Sequence, residues 1–296
     1  MTDTESKHWD AIVVGSGMGG MTAAAALSKM GHKVLLLEQY KTLGGLTHSF
    51  TRDGFSWDVG IHYLGCLAPD DRERALINWL TEAPMDFEPM GAVYDNLHLG
   101  DAPPLALSRP YEAQERDLKD RFPDEAEAIE AWMAALRDGR KIMYTLASTR
   151  AMPEFVGDMI DWWHHRDIDK WCRRTTQEVV DSITQNPELA AAFTAQWGDH
   201  GGRPHKASFA MHALICACYL ESGAWYPVGG GKAFAEHLLP TITAGGGDAR
   251  AGVQVETLLV ENDKVIGVRT SDGKDIRSDI VISNIGARET INNLLP

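Results

Sequence analysis

Apolar positions along the chain follow three regimes. Residues 11–14 and 33–37 are short, uninterrupted apolar runs, the pattern of strands buried on both faces of a parallel sheet. The Ala-rich segment between them reads as a helix to Met30, ended by Gly31. A strand–helix–strand unit is therefore predicted near the start. Between Gly65 and Gly223 the period lengthens. Ile129, Trp132, Met133, Leu136, Met143 and Leu146 recur at three- and four-residue steps and predict an amphipathic helix over 124–147. Asn186-Pro187-Glu188 reads as a helix start, and residues 206–221, apolar on most sides, read as a buried helix. A strand pair is predicted at 92–99 and 105–107. From Trp225 the strand grammar returns. A glycine turn leads into a helix to about Ala244, a hairpin of 253–260 with 265–270, and an apolar strand at 279–282.

The junction of the first strand and helix carries chemistry. Gly15, Gly17 and Gly20 fall there at G-x-G-x-x-G spacing, with Ser16 and Gly19 inside the turn. Gly15 permits the tight turn, Gly17 lets the backbone approach a pyrophosphate, and Gly20 allows close packing of helix on strand. The free N–H groups of the helix start would face the phosphates. Glu38 ends the second strand, where a carboxylate accepts hydrogen bonds from ribose hydroxyls and repels a 2′-phosphate, which disfavours NADP as the resident. A glycine-rich turn alone often holds no ligand. Strand, glycines, helix, strand and acid in this order predict a dinucleotide site. Gly230-Gly231-Lys232 is not a phosphate loop, because Tyr226 stands where that motif needs Gly and Ala233 replaces its Ser/Thr.

The stretch after Glu38 separates the dinucleotides. In place of another βα repeat come Gln39, the pair Gly44-Gly45 with Leu46 and Thr47, and a hairpin of 48–52 with 55–58 across Asp53-Gly54. It ends in Asp58-Val59-Gly60-Ile61-His62-Tyr63. This continuation resembles the flavoprotein superfamily of phytoene desaturases, carotenoid isomerases, amine oxidases and retinol saturases. Its members carry the glycine motif, a strand-end Glu, a Gly-Gly pair and a D-x-G turn facing the flavin. GIHYLG from Gly60, YPVGGGKAFAEHLLPTI from Tyr226 and VISNIGARETINNLLP from Val281 resemble retinol saturase and its bacterial relatives in particular. Both ends of the chain match well, the middle loosely.

The resemblance implies FAD as cofactor, held by Gly15, Ser16, Gly17, Gly19, Gly20, Glu38, Gln39, Gly44, Gly45, Leu46, Thr47, Gly60, Ile61, His62, Val253 and Asn284. It sets the backbone of Val253 or Val255 against the adenine. His62, beside the expected flavin, is the candidate catalytic side chain, although a lone His is more often structural. Leu46 stands where many members have Arg or Cys, so no Arg contact to the phosphates carries over. No second glycine motif follows a strand, so NAD(P)H is implied only as a transient electron donor. The implied fold is α/β, with a Rossmann-type FAD-binding domain formed by residues 1–65 and 224–296. A mainly helical substrate domain over 66–223 interrupts it.

The implied function is FAD-dependent oxidoreduction at carbon–carbon bonds of an apolar polyene, a retinoid or carotenoid, by saturation, desaturation or isomerisation. An amine-oxidase-like enzyme acting on C–N bonds and a non-catalytic FAD-binding fragment are the alternatives. Family members continue beyond the position of Pro296 with more substrate domain and a glycine-rich segment over the flavin. The chain is therefore expected to be a fragment of a longer protein, or catalytically incomplete.

Composition adds a few constraints. A net charge of −14 over 296 residues argues against nucleic acid, whose phosphates need a basic footprint. Cys66, Cys172, Cys216 and Cys218 show neither metal spacing nor a disulfide framework, and predict a reducing, cytoplasmic setting. His200, His205 and His212 match no metal-ligand pattern, and no metal is expected. No apolar run approaches the roughly twenty residues of a membrane span, which leaves peripheral membrane contact open. Trp162-Trp163, just before His164-His165, suggests an entrance for an apolar substrate or a face on lipid headgroups. Ordinary packing of large aromatics is the expectation. Nothing in the sequence sets an oligomeric state.

Overall fold

The computed structural model describes residues 8–150 and 152–296, which form two compact units. The first runs to Tyr63 and takes up Arg72–Glu88 and Tyr226–Pro296; the second holds Leu64–Asp71 and Pro89–Trp225. Against the expected 66–223, the insert starts at Leu64, ends at Trp225 and leaves Arg72–Glu88 to the first unit. Arg72–Leu80 packs with the nucleotide fold, where Leu80 is buried beside Ala24 and Lys29 pairs with Glu82 at 2.9 Å.

The first unit is built on a four-stranded parallel sheet. Strands β1 (Ala11–Val14) and β2 (Val34–Leu37) flank helix α1 (Met18–Lys29), and the exposed hairpin β3 (Ser49–Arg52) with β4 (Phe55–Asp58) comes next. After helix α2 (Arg72–Leu80) and the second unit come helix α3 (Ala233–Ala244) and strand β5 (Asp248–Arg250). Strands β6 (Val255–Glu261), β7 (Lys264–Thr270), β8 (Asp275–Arg277) and β9 (Val281–Ser283) complete the unit. The parallel order is β9-β1-β2-β5, with Val13 opposite both Leu36 and Ile282.

Strand alternation explains why β1 and β2 read as unbroken apolar runs. Ala11, Val13, Val34 and Leu36 pack on Met21 and Ala25 of α1 and on Leu238 and Ile242 of α3. The alternate residues Ile12, Val14, Leu35 and Leu37 pack on Val255, Leu258, Val268 and Ile276 of the antiparallel layer β6-β7-β8. Both faces are covered, so every position is apolar. At the hairpin, Asp53 (φ 52°) and Gly54 (φ 81°) are both left-handed, as the Asp-Gly pair predicts for a two-residue turn.

The second unit centres on two helices, Ala126–Thr149 and Phe209–Ser222. Ile129, Trp132, Met133 and Leu136 are buried against Phe209, Ala213 and Ala217. At Gly139 a Cβ would lie 2.6 Å from that of Ala213, so glycine sets how closely the two helices approach. The Asn186 side chain caps the helix that begins at Pro187, accepting from the amides of Glu188 at 3.0 Å and Leu189 at 3.2 Å. Val93–Leu97 and Leu105–Ser108 form the expected antiparallel pair.

Two expectations fail here. Cys66 and Cys218 form a disulfide across 152 residues, against the reading of no disulfide framework. Only tertiary approach makes that pair, and Gly65 enables it, since a Cβ there would lie 2.9 Å from the Cys218 Cβ. Trp162 and Trp163 are not packed inside. They are 70% and 75% exposed, on a helix (Glu154–Trp163) that buries no residue and also exposes Phe155 and Met159. Trp132 packs in the core as its helix pattern predicts, and Trp171 is buried there too. Among the described residues no helix is long and apolar enough to cross a membrane.

Candidate functional site

At the end of β1, Gly15 turns with φ 94°, a left-handed conformation that glycine adopts without strain. At Gly20 a Cβ would lie 1.9 Å from the Gly15 carbonyl oxygen, so the helix closes onto the strand end only as glycine. At Gly17 a Cβ would meet only the Asn284 amide nitrogen, at 3.2 Å, and the backbone stays approachable. α1 starts after Gly17 with no acid in its first turn and, among the described residues, no side-chain cap. Its first N–H groups are thus the donors available to an anion.

Glu38 is buried and ties this turn to the end of β2. Its Oε2 accepts from the Ser16 amide at 2.8 Å and the Ser16 hydroxyl at 2.7 Å, and its Oε1 accepts from the Tyr40 amide at 2.8 Å. Ser16 Oγ in turn accepts from the Gly44 amide at 3.0 Å. Gly44 (φ 118°) and Gly45 (φ 57°) then turn the chain back so tightly that a Cβ on Gly45 would lie 2.7 Å from the Gly17 Cα. The Gly-Gly pair is needed because its turn lies directly on the glycine motif.

These segments enclose a cavity of about 610 Å³. Of the residues expected to hold a cofactor, Gly15, Gly17, Glu38, Gln39, Gly45, Leu46, Val253 and Asn284 line it. Ser16, Gly19, Gly20, Gly44 and Thr47 do not line it but shape its wall. Gly60, Ile61 and His62 do not line it either. Gly60 packs on Leu46, where a Cβ would come within 3.0 Å, and the exposed His62 ring stands edge-on to Tyr63 at 4.4 Å. Val14 and Leu37 at the strand ends line it too, and sequence reasoning missed Gln254, Glu256, Ile285, Glu289, Asn293 and Leu294, which complete the lining together with Val255. Gln254 and Glu256 flank Val255 at the start of β6, so alternation from Val253 was a usable signal. The last four come after β9, in the stretch from Val281 that carries the resemblance to retinol saturases, but no spacing there marks single positions. Among the described residues the lining includes the carboxylates Glu38, Glu256 and Glu289 but no Lys or Arg. A pyrophosphate here would be met by backbone N–H groups and the start of α1, not by a cationic side chain.

In the second unit, His200 and His212 form a chain of hydrogen bonds. His212 Nε2 lies 2.9 Å from the Phe193 carbonyl, His200 Nε2 lies 3.0 Å from His212 Nδ1, and the Gly202 amide donates to His200 Nδ1 at 3.2 Å. A carbonyl can only accept, so His212 carries its proton on Nε2, and His200 must then donate from its own Nε2. Both rings are neutral. Burial pushes His212 down to about 4, against the favourable Phe193 bond, and burial also lowers His200.

Residues 13–78 match the family of NAD(P)-binding Rossmann-like domains. The all-trans-retinol 13,14-reductase of Danio rerio is 34% identical over 298 residues, which cover 97% of this chain and 49% of that protein. The chloroplastic prolycopene isomerase of Daucus carota is 26% identical over 320 residues, covering 98% of this chain and 48% of that protein. Along nearly its whole length the chain is thus similar to retinol saturases and carotenoid isomerases. It spans about half the length of the curated relatives it matches. An oxidoreductase from Methanosarcina mazei shares the fold, with a TM-score of 0.65 at 20% identity over 96% of this chain and 60% of that one. The α/β Rossmann-type reading of the sequence thus holds, as does the resemblance to that superfamily.

Proposed function

We propose that the cavity beside Gly15 and Gly17 holds FAD, and that the chain serves an oxidoreductase acting on the carbon–carbon double bonds of an apolar polyene, a retinoid or carotenoid. The observation that carries the cofactor assignment is the turn Gly44–Thr47. It comes soon after Glu38, lies on Gly17, and occupies the place where a nicotinamide-binding fold would begin another βα unit. The description of the matched domain favours a nicotinamide nucleotide as a second reading.

FAD, when bound, supplies hydride transfer, and the protein contributes binding and orientation. The start of α1 would meet the pyrophosphate. Glu38, whose Oε1 accepts one bond among the described residues, keeps acceptor capacity for a ribose hydroxyl. The start of β6 would wall the adenosine end. The zebrafish and carrot relatives are named for retinol, a polyene alcohol, and prolycopene, a polyene hydrocarbon, which supports the substrate class. No acid or base is assigned, because the exposed His62 does not line the cavity. The test is anaerobic turnover of FAD-loaded protein with a retinoid or carotenoid and a reductant. Conversion of the polyene chromophore is expected. Oxidation of amines in a parallel assay with oxidised FAD and oxygen as acceptor, with no effect on polyenes in either assay, would reject the substrate class.

A further inference from the structure

We infer that Asp58 is a positioning residue for the dinucleotide cavity: its carboxylate fastens the 226–232 turn against the Gly44–Thr47 turn and so fixes the wall that Gly45 and Leu46 form. This deepens the FAD reading above and rests on it for its functional consequence.

The Asp58 carboxylate is occupied by donors from this protein. It accepts from the Ser49 and Tyr226 hydroxyls and from the Gly231 amide at 2.8 Å. Two segments separated in sequence, Ser49 and the 226–232 turn, thereby converge on one side chain. The 226–232 turn is pressed on both of its neighbours. A Cβ on Gly230 would lie 3.1 Å from Asp58, and one on Gly231 would lie 2.8 Å from the Thr47 carbonyl and 3.3 Å from Asp58. Thr47 is buried and donates its hydroxyl to the Gly44 carbonyl at 2.8 Å. Gly45 then rests on Gly17.

Contact runs without a gap from Asp58 through Gly231, Thr47 and Gly45 to the glycine motif. Close-packed contacts of this kind transmit a displacement instead of absorbing it. Removing the carboxylate frees the 226–232 turn, and the Gly44–Thr47 turn loses its backing. A site held by unsupported neighbours is looser by enough to cost affinity. Burial opposes ionisation of Asp58, but its three donors and nearby Lys232 outweigh that and hold its carboxyl below the usual range. The group acts as an anion, which is what three donors require.

The decisive experiment is hydrogen–deuterium exchange on the ligand-free chain, comparing wild type with Asp58→Ala and Asp58→Asn. Asp58→Ala is expected to accelerate exchange of the Gly44, Gly45 and Thr47 amides while β1 and β2 stay protected. Asn, which keeps one acceptor oxygen, is expected to restore part of the protection. Flavin titrations on the same proteins should show affinity falling about tenfold in Asp58→Ala, with partial recovery in Asn. Tyr226→Phe leaves the carboxylate in place and serves if Asp58→Ala does not fold; it should show the same effects in smaller measure. Unchanged exchange in 44–47 in a folded Asp58→Ala protein, or in Tyr226→Phe where the former does not fold, would overturn the positioning role. A wild type that binds no FAD but shows the exchange pattern would overturn the cofactor reading alone.

Discussion

Glu38 illustrates how much one residue carries and how little of it the sequence displays. Its position at a strand end reads as a ribose acceptor. That the Ser16 amide and hydroxyl also converge on it is a tertiary fact. Glu38→Ala would therefore leave buried donors unpaired, at about 1–3 kcal/mol each, besides removing the ribose contact. The melting temperature of the ligand-free protein should fall, and FAD affinity should fall by about tenfold or more. A melt indistinguishable from wild type would mean that these bonds do not hold the turn. The histidine pair makes a second case at this scale. Because the folded His212 sits near 4 and the unfolded ring near 6.5, the unfolded chain binds protons more readily in between. The stability contributed by the neutral pair is present above pH 6.5 and is lost as pH falls towards 4, by about 3 kcal/mol at full loss. Melting temperature against pH should show this slope, and His212→Gln should flatten it. Equal slopes in the two proteins would contradict the assignment.

At the scale of elements, apolar period placed most strands and helices correctly, because β1, β2 and the helix Phe209–Ser222 are buried on all sides or on alternating ones. Features made by approach between distant segments were not legible. The Cys66–Cys218 disulfide joins the segment after Gly65 to the helix Phe209–Ser222, and nothing in the local spacing of either cysteine announces it. Protein purified without reductant and denatured should therefore titrate two thiols, Cys172 and Cys216, and four after reduction. Four thiols without reduction would refute the pairing. Trp162-Trp163 failed differently. Adjacent large aromatics read as packed residues, but the sequence does not say whether a partner covers the face that carries them. Phe155, Met159, Trp162 and Trp163 stay exposed together, an apolar patch of the kind that promotes association.

For the molecule as a whole, the sequence announces a nucleotide fold interrupted by a helical insert, since βαβ grammar stops and then returns. It does not reveal that Arg72–Glu88 returns to the first unit before the insert resumes, because a single amphipathic helix fits either core. Nor does it reveal the carboxylates Glu256 and Glu289 in the cavity lining, which come from segments more than two hundred residues beyond the glycine motif. The account stands on what this cavity holds. Chromatography of the ligand released by heat from purified protein, with its absorbance spectrum before and after release, tests that directly. Flavin adenine dinucleotide in near-stoichiometric amount, or its uptake by ligand-free protein on reconstitution, is the result expected. Release or uptake of a nicotinamide nucleotide alone, with no affinity for FAD, would contradict it.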